Sequence, residues 1–410
     1  MAGGPGSYLF GEEEKKELLD VMESGYLFRY GAESDNNFKH KVKTFENEFA
    51  DYIGTKHCIA VSSGTGALMC CLAALGIGPG DEVIVPGYTF IASISSIILS
   101  RAIPVLAEIN ESLTIDPEDI KAKITKKTKA IMPVHMLGNP CDMDRIMDIA
   151  KEYGLYVIED CCQAAGASYK GRKVGKIGHI AAFSLNVFKT ISCGDGGIVI
   201  TDNYELYERA FGFHDQGHKP NRMGVEVGNR SIIGMNMRMN ELSGAVALAQ
   251  LRKADKILNI LHEKKKTLKE QVAKIPGIGF RKINDERGEC ATLLTLLLKD
   301  KATADRFCNL LGSKTISHSG WHVYNNMEQI LGKKTSTVYK CPYVCDAYGK
   351  EINYHAHMLP KTDAILDRAV NISVGVVDAG LGAGVGINIT STQQDIIACA
   401  KEIEAVMKKL

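Results

Sequence analysis

A single lysine, Lys189, lies between an apolar run and a glycine-rich turn in the segment FSLNVFKTISCGDGGIVI. Lysine is rarely buried without a partner, so an apolar setting for this side chain needs a chemical reason. An apolar pocket disfavours the charged ammonium, which lowers its pKa and makes the neutral amine a nucleophile. The segment therefore predicts a lysine that captures a carbonyl carbon, although a loop lysine whose head group reaches solvent explains the same spacing.

The segment VSSGTGAL offers a site for an anion. It ends a predicted strand and begins a helix, and the free backbone N–H groups of a helix start attract negative charge. Gly64 lets a phosphate approach the backbone, and Ser63 and Thr65 add hydroxyl groups. An ordinary capped turn between a strand and a helix explains this stretch equally well.

The segment VIEDCCQAAGA closes an apolar strand with a carboxylate, Asp160. An acidic side chain in such a place needs a partner to stay ionised. Asp160 either faces a cationic nitrogen of a ligand or caps the next helix. Because ligands of parallel α/β sheets bind beyond the carboxyl ends of the strands, we expect this carboxylate, Lys189 and the VSSGTGAL turn to lie at one edge.

One ligand requires all of these features together, and it is pyridoxal 5'-phosphate (PLP). PLP presents a phosphate, an aldehyde that a lysine captures, and a ring nitrogen whose proton a carboxylate holds. Ser184, at the end of the strand before Lys189, adds a hydroxyl for the phosphate. The sequence therefore predicts PLP as cofactor, Lys189 as its covalent carrier and Asp160 as the partner of the ring nitrogen.

Helix and strand signals alternate from about residue 38 to residue 201, which predicts βαβ units and a mainly parallel sheet. Near residue 275 the pattern changes. We expect a large α/β domain over residues 1–260, with an N-terminal arm, and a smaller α+β domain over residues 261–410. The motif GLGAGVG at residues 380–386 does not fit the spacing GxGxxG, and we expect a flexible surface loop there.

Composition and charge exclude several classes of function. The net charge is +1, and the one dense basic run, HEKKKTLKE, is typical of a solvated helix face, so we expect no nucleic-acid partner. The sequence has no run of 18 or more apolar residues, so we expect no membrane span. Scattered cysteines in apolar surroundings favour a reducing, cytoplasmic location.

A metal site is not expected. The segment CPYVC, Cys341 to Cys345, has a loose zinc-like spacing, and His355 and His357 follow it. A second pair of ligands at zinc spacing is missing from the sequence around it. Free thiols in a loop are the simpler interpretation, and zinc stays an alternative.

The chain resembles the sugar aminotransferases of the DegT/DnrJ/EryC1/StrS family, PLP enzymes of fold type I, over nearly its whole length. The resemblance implies a mainly parallel sheet of the seven-stranded type. It also implies transfer of an amino group from an amino acid, which we expect to be L-glutamate, to a keto or aldehyde sugar. The motifs that carry the likeness are SSGTGAL, GDEVIVPGYTFIAS, PVHMLGNPCDMD, VIEDCCQAAGASYKGRKVG, FSLNVFKTISCGDGG and GMNMRMNELSGAVALAQL.

The resemblance implies roles around the pyridine ring of the cofactor. Lys189 would form the internal aldimine and shuttle protons. Asp160 would pair with the ring nitrogen, and Gln163 with the ring hydroxyl. Phe90 would stack on the ring, although a core aromatic explains this residue as well.

It implies a second set of contacts around the phosphate. The backbone amides of Gly64 and Thr65 and the hydroxyl of Ser184 would bind it. Asn236 would reach the phosphate of the cofactor in the neighbouring subunit, because the family builds its site across a homodimer interface. The expected partners are thus a second copy of this chain, a keto sugar and an amino-acid donor.

Two positions depart from the family pattern, and they affect the fine tuning of the site but not the reaction class. Asn186 stands where the family often has His, and Asp195 where it often has Glu. A dehydratase subgroup has His at the position of Lys189, so the lysine favours transamination. A PLP-dependent dehydratase or lyase of a sugar or cyclitol, and a non-catalytic regulator, remain alternatives.

Within the family, three segments are similar to the branch that makes 8-amino-3,8-dideoxy-manno-octulosonate: FRYGAESDNN, TISCGDGG and WHVYNN. A nucleotide-linked sugar is the alternative substrate. The expected substrate contacts are Arg29, Tyr30, Arg238 and Trp321, with His322 and Asn325 beside the tryptophan. Both arginines would instead pair with structural carboxylates, the commoner fate of arginine, if the substrate prediction is wrong. Trp321 is as well explained as a core residue of the small domain.

Overall fold

The computed structural model describes residues 3–32, 34–220, 228–344, 346–349 and 352–410. The strands of this part of the chain are β1 (His57–Val61), β2 (Glu82–Pro86), β3 (Ile103–Ala107), β4 (Thr128–Ile131), β5 (Tyr156–Asp160), β6 (Ser168–Tyr169), β7 (Arg172–Lys173), β8 (Ile180–Ser184), β9 (Gly197–Thr201), β10 (Gly279–Phe280), β11 (Leu293–Leu297) and β12 (Ala369–Ser373). The α-helices are α1 (Pro5–Tyr8), α2 (Glu12–Ser24), α3 (Lys41–Ile53), α4 (Gly64–Ala74), α5 (Ile91–Leu99), α6 (Pro117–Lys123), α7 (Met143–Tyr153), α8 (Tyr204–His214), α9 (Glu241–Leu251), α10 (Ala254–Val272), α11 (Lys301–Leu311), α12 (Glu328–Leu331), α13 (Pro360–Asp367) and α14 (Gln393–Met407).

A seven-stranded sheet forms the centre of the large domain, with strand order β1-β9-β8-β5-β4-β2-β3. β9 runs antiparallel to both of its neighbours, and the remaining pairs are parallel. Its strands are apolar along nearly their whole length because helices cover both faces, as parallel sheets require. The mainly parallel seven-stranded sheet predicted from the sequence is confirmed.

The parallel arrangement decides where the chemistry-bearing residues lie. β5 ends at Asp160 and β8 ends at Ser184, while β1 ends just before the turn that starts α4. β2 ends at Pro86, and α5 begins after Phe90. Since these strands run in the same direction, their ends all meet at one edge of the sheet.

The second part of the chain carries a three-stranded antiparallel sheet, β10-β11-β12. The helices α10, α11 and α14 pack around it, and Ile396 and Ile403 of α14 are buried. The predicted boundary at residue 260 falls inside α10, which packs against α14 while α9 just before it packs against α3. The division into two domains at that residue stays a prediction.

Some local predictions need correction. The segment DMDRIMDIAKEYG favours Asp142 as the cap of α7, but its carboxylate accepts a hydrogen bond from the Tyr169 hydroxyl at 2.9 Å instead. The basic run in α10 is not wholly solvated, because Lys265 is buried and pairs with Glu289 at 2.5 Å. The GLGAGVG segment is not a free surface loop either, since Ala383 within it is fully buried.

Candidate active site

A cavity of about 350 Å³ opens at the carboxyl edge of the large sheet. It is bounded on one side by the ends of the parallel strands and on the other by segments from the second part of the chain. Seven of the residues predicted to hold the cofactor line this one cavity. They are Gly64, Thr65, Phe90, Asp160, Gln163, Ser184 and Lys189.

Lys189 lies in a short loop between β8 and β9 and is partly buried. Its backbone N–H donates to the carbonyl of Asn186 at 2.9 Å, and the Asn186 side chain donates to Asp195 at 2.9 Å across the loop. Burial lowers the pKa of the ammonium below its ordinary value, while the nearby Cys162 and Asp160 oppose that change. A lowered pKa increases the fraction of neutral amine, which is the form that attacks a carbonyl.

The Asp160 carboxylate is held in one orientation. The Ser93 hydroxyl donates to Oδ2 at 2.6 Å, and the backbone N–H of Cys162 donates to Oδ1 at 3.0 Å. Turns, not a helix, follow the strand that Asp160 ends, so the carboxylate does not cap a helix. It instead lines the cavity, where it can accept a hydrogen bond from a protonated nitrogen of a ligand.

Gln163 is oriented by the backbone of the neighbouring loop. Its side-chain oxygen accepts a hydrogen bond from the Leu137 N–H at 2.9 Å, which leaves the amide NH₂ group to donate into the cavity. Leu137 adopts a left-handed backbone conformation with φ of 55°. Arg281 fixes that turn, because its guanidinium donates to the carbonyls of Met136 and Leu137 at 3.2 and 3.0 Å.

The turn VSSGTGAL leads from β1 into the start of α4, as the predicted anion site requires. The Ser63 hydroxyl accepts from the Gly66 N–H at 3.0 Å and caps the helix, so it is less free to bind a ligand than expected. The first N–H groups of a helix, here those of Gly64 and Thr65, have no partner within the helix. A Cβ on Gly64 would lie 2.7 Å from the Cβ of Ser184, so only glycine lets the turn approach that hydroxyl.

The second part of the chain closes the cavity beside Phe90. The Thr89 N–H donates to the carbonyl of His322 at 3.0 Å, and the rings of Phe90 and His322 lie 5.2 Å apart. Burial and the charge of Lys189 lower the pKa of His322 to about 4, so the imidazole is neutral at pH 7. Phe90 is 39% exposed, which excludes a core role and leaves one ring face open to the cavity.

Arg29, Tyr30 and Arg238 do not line the cavity. The guanidinium of Arg29 is buried. It donates to Glu46 at 2.6 Å and to the Ala60 carbonyl at 2.9 Å. The Tyr30 hydroxyl donates to Asp215 at 2.6 Å, and Arg238 pairs with the same carboxylate. Within a single chain these side chains therefore make structural contacts, the alternative that the sequence left open for the arginines.

Asn236 and Trp321 also lie outside the cavity of this chain. Asn236 is exposed, and its backbone pairs with that of Asp215. Trp321 is 61% exposed, so the small-domain core explanation for it is wrong, because it lies at the surface next to the cavity residue His322. An exposed position is open to a second subunit, and the role of Asn236 across a dimer interface stays a prediction.

One group of potential metal ligands occurs among the described residues: His135, Glu159 and Cys161. All three are buried, and protein groups already contact the ring nitrogens of His135 and the carboxylate of Glu159. Nε2 of His135 lies 3.0 Å from Glu159, and Nδ1 accepts from the Cys141 N–H at 3.0 Å. The carboxylate of Glu159 also accepts backbone N–H groups, including that of Gly175 at 2.8 Å.

The zinc alternative at CPYVC involves Cys345, which lies outside the described residues. The ring of His357 contacts the carboxylate of Asp363 at 3.0 Å instead of a cysteine.

Sequence reasoning missed Ser93, which positions Asp160, and Asp378 and Leu381, which line the cavity from the second part of the chain. Ser93 has a signal that could have found it, since it lies within the family motif GDEVIVPGYTFIAS. The loop that carries Asp378 and Leu381 has no such signal.

Residues 9–376 match the DegT/DnrJ/EryC1/StrS aminotransferase family. The chain belongs to this family. Its cavity also fits the family's cofactor: a carboxylate with a fixed orientation, a lysine of lowered pKa and a helix start that admits only glycine lie together, as PLP requires.

The chain is 39% identical over 267 residues to the GDP-perosamine synthase of Vibrio cholerae, a match that covers 64% of this chain and 69% of the synthase. The structure of 3-amino-5-hydroxybenzoic acid synthase superposes with a TM-score of 0.79 at 26% identity and covers 100% of both chains. NtdA from Bacillus subtilis with bound cofactor PMP gives a TM-score of 0.75 at 25% identity, covering 98% of this chain and 84% of NtdA.

These likenesses confirm the family, the fold and the PLP cofactor. They do not support the octulosonate branch, because the Vibrio cholerae relative is a GDP-perosamine synthase. In the described part of the chain, no helix has the length and apolar character of a membrane span.

Proposed function

We propose that this protein transfers the amino group of L-glutamate to the carbonyl carbon of a keto or aldehyde sugar. The observation that carries the proposal is the single cavity in which Lys189, Asp160 and the glycine start of α4 meet. PLP bound there supplies the aldehyde and the electron sink of the reaction. The protein supplies position, charge and proton transfer.

The cavity residues divide this work. Lys189 Nζ would hold the aldehyde carbon until the amino group of the donor displaces it, and the freed amine would then carry the proton of the amino-bearing carbon, a task that its lowered pKa supports. Asp160, fixed by Ser93, holds the proton of the ring nitrogen. Gln163 would donate to the ring hydroxyl, and Phe90 would pack on the ring.

The direct test separates the two halves of the reaction. PLP-loaded protein mixed with L-glutamate alone should release one equivalent of 2-oxoglutarate and shift the cofactor absorbance to that of its amine form. Addition of keto sugars and keto-cyclitols should then return the absorbance and give an aminated product by mass spectrometry. Loss of water or ammonia from the sugar without amino transfer would identify a dehydratase or lyase instead. Lys189→Ala is the inactive control.

Two acceptors are favoured by specific observations. Similarity to a GDP-perosamine synthase favours a GDP-linked keto-hexose. The segments FRYGAESDNN, TISCGDGG and WHVYNN favour a free octulosonate with an aldehyde at its terminal carbon. The burial of Arg29 against Glu46 removes one expected contact to a sugar carboxylate, so the GDP-linked acceptor is the first to be tested.

We also propose that two subunits share each active site, in a cytoplasmic homodimer. Exposed apolar side chains near Asn236 support an interface: Leu27, Phe28, Ile233 and Met235. Buried cysteines of the described residues, such as Cys58, Cys70 and Cys161, are free thiols, which supports a reducing compartment. Mixed dimers of Lys189→Ala and Asn236→Asp chains should recover activity, because one of their two sites is intact. No recovery in verified mixed dimers would show that one chain builds each site.

A further inference from the structure

Asp378 brings a further carboxylate into the cavity, besides those of Asp160 and Asp195, and it comes from the second part of the chain. Its side chain lines the cavity wall, and its charge reaches Lys189. Oδ1 accepts the Gly380 N–H at 2.7 Å, and this contact turns the carboxylate. The described contacts of the side chain occupy Oδ1, so Oδ2 is available to a ligand.

The loop that carries Asp378 is built rather than free. Val377 exchanges backbone hydrogen bonds with Gly3 at 3.0 and 3.1 Å, and Asp378 exchanges them with Ala383 at 2.9 and 3.2 Å. The Asn371 side chain donates to the Leu381 carbonyl at 3.0 Å. The carboxylate is therefore fixed before any ligand arrives, which lowers the entropic cost of binding.

The N-terminal segment ties this loop to the lysine loop. Gly3 pairs with Val377, and the next residue, Gly4, donates its N–H to the Val187 carbonyl at 2.9 Å. A Cβ on Gly4 would lie 2.5 Å from the carbonyl oxygen of Lys189, so the contact is direct. The N-terminal segment therefore fixes the position of the Asp378 loop relative to the Lys189 loop.

We propose that Asp378 binds hydroxyl groups of the sugar acceptor next to its carbonyl carbon and so helps to select a polyhydroxylated substrate. The inference rests on the proposed function. An ionised carboxylate only accepts hydrogen bonds, and sugar hydroxyls are the donors that a keto sugar offers. Among the described residues that line the cavity, Lys189 is the only lysine or arginine, and its proposed role toward the cofactor occupies it, so no other fixed cation there offers a site for a negative group of the substrate.

The test uses Asp378→Asn, which keeps an acceptor for the Gly380 N–H but removes the charge. Asp300→Asn is the matched control, because Asp300 also accepts a backbone N–H, from Thr303 at 2.9 Å, and is not part of the cavity wall. The probes are the keto sugar that the wild-type protein aminates and its analogue that lacks the hydroxyl next to the carbonyl.

Binding is measured without turnover, by titration calorimetry of Lys189→Ala protein loaded with the amine form of the cofactor, which is the form that meets the keto sugar. We expect Asp378→Asn to weaken binding of the keto sugar about tenfold, the loss typical of a hydrogen bond to a charged group. The deoxy analogue should bind the variant and the parent equally. In active protein the glutamate half-reaction should stay within about twofold of the wild type, while the acceptor half-reaction slows.

Three results would overturn the proposal. Equal loss of affinity for the keto sugar and the deoxy analogue would show that Asp378 does not contact the hydroxyl. A slowed glutamate half-reaction with unchanged acceptor binding would show that Asp378 acts on Lys189. A similar effect of Asp300→Asn would indicate a general structural loss. If Asp378→Asn does not fold, Asp378→Ser is used in its place, because the serine hydroxyl still accepts the Gly380 N–H. Failure of the wild type to aminate any keto sugar would instead reject the proposed function.

Discussion

Gly197, the first residue of β9, packs directly against the turn that begins α4. A Cβ built on this glycine would lie 2.2 Å from the carbonyl oxygen of Ser63 and 2.8 Å from the amide nitrogen of Gly64. Both are backbone atoms, so no side chain can rotate away. Since ordinary contacts begin near 3.4 Å, Gly197→Ala must displace the turn by about 1 Å.

That displacement has two calculable effects. Forcing an extra methyl into a packed region costs about 1–3 kcal/mol of stability. The Gly64 amide moves away from the phosphate site, and the loss of one hydrogen bond to a charged group costs about 1.5–3 kcal/mol. We therefore expect Gly197→Ala to bind PLP about ten- to a hundredfold more weakly than the wild type.

The assay is an absorbance titration of the apoprotein with PLP, together with thermal unfolding at several PLP concentrations. Gly78→Ala is the control, because its Cβ would meet only the carbonyl of Ser100, at 3.8 Å. The control should bind PLP normally. The variant should gain less thermal stability from PLP than the control, because stabilisation follows the binding constant. Native PLP affinity in Gly197→Ala would refute the phosphate site at the start of α4.

Other predictions follow from the contacts of single residues. Asp160→Asn should keep the fold, by circular dichroism, but lose most turnover, because a neutral amide does not stabilise a protonated ring nitrogen; near-native turnover would contradict its role. Arg29→Met leaves Glu46 buried without its partner and should cost about 3–5 kcal/mol in urea unfolding, whereas normal stability with a raised acceptor KM would restore the arginine as a substrate contact. Burial lowers the pKa of His214 from 6.5 to about 3. Between these pH values the unfolded chain binds more protons than the folded chain, so the free energy of unfolding falls as pH decreases. For this group the fall is up to about 1.4 kcal/mol per pH unit. Urea unfolding at pH 7 and pH 5 should thus show a smaller loss for His214→Gln than for the wild type, and an equal loss would contradict this assignment.

The central sheet could be predicted, and most of the candidate cofactor residues could be chosen, because local patterns in the sequence mark them. A lysine between an apolar strand and a glycine turn, and Asp160 at a strand end, are visible within a few residues of sequence. The rule that parallel strands present their carboxyl ends at one edge then places them together. The structure brings Asp160, Ser184 and Lys189 into one cavity as this rule requires.

Contacts that depend on distant segments could not be predicted in this way. Arg29 pairs with Glu46 on α3, and no local pattern links a buried arginine to a carboxylate on the next helix. His322 and Asp378 reach the cavity only because the second part of the chain folds back over the sheet edge. The alternating glycines of GLGAGVG predict a flexible loop. The backbone of Val377, three residues before this segment, pairs with Gly3 and helps to fix it. Pairing between such distant parts of the chain has no local pattern in the sequence.

The central claim is that Lys189 carries the cofactor, and covalent trapping tests it most directly. Borohydride reduction of the PLP-loaded protein, followed by proteolysis and mass spectrometry, should place the reduced pyridoxyl group on the peptide that contains Lys189. Lys189→Ala should bind PLP without being labelled. The label on any other lysine, or undiminished labelling of Lys189→Ala, would contradict this account of the site.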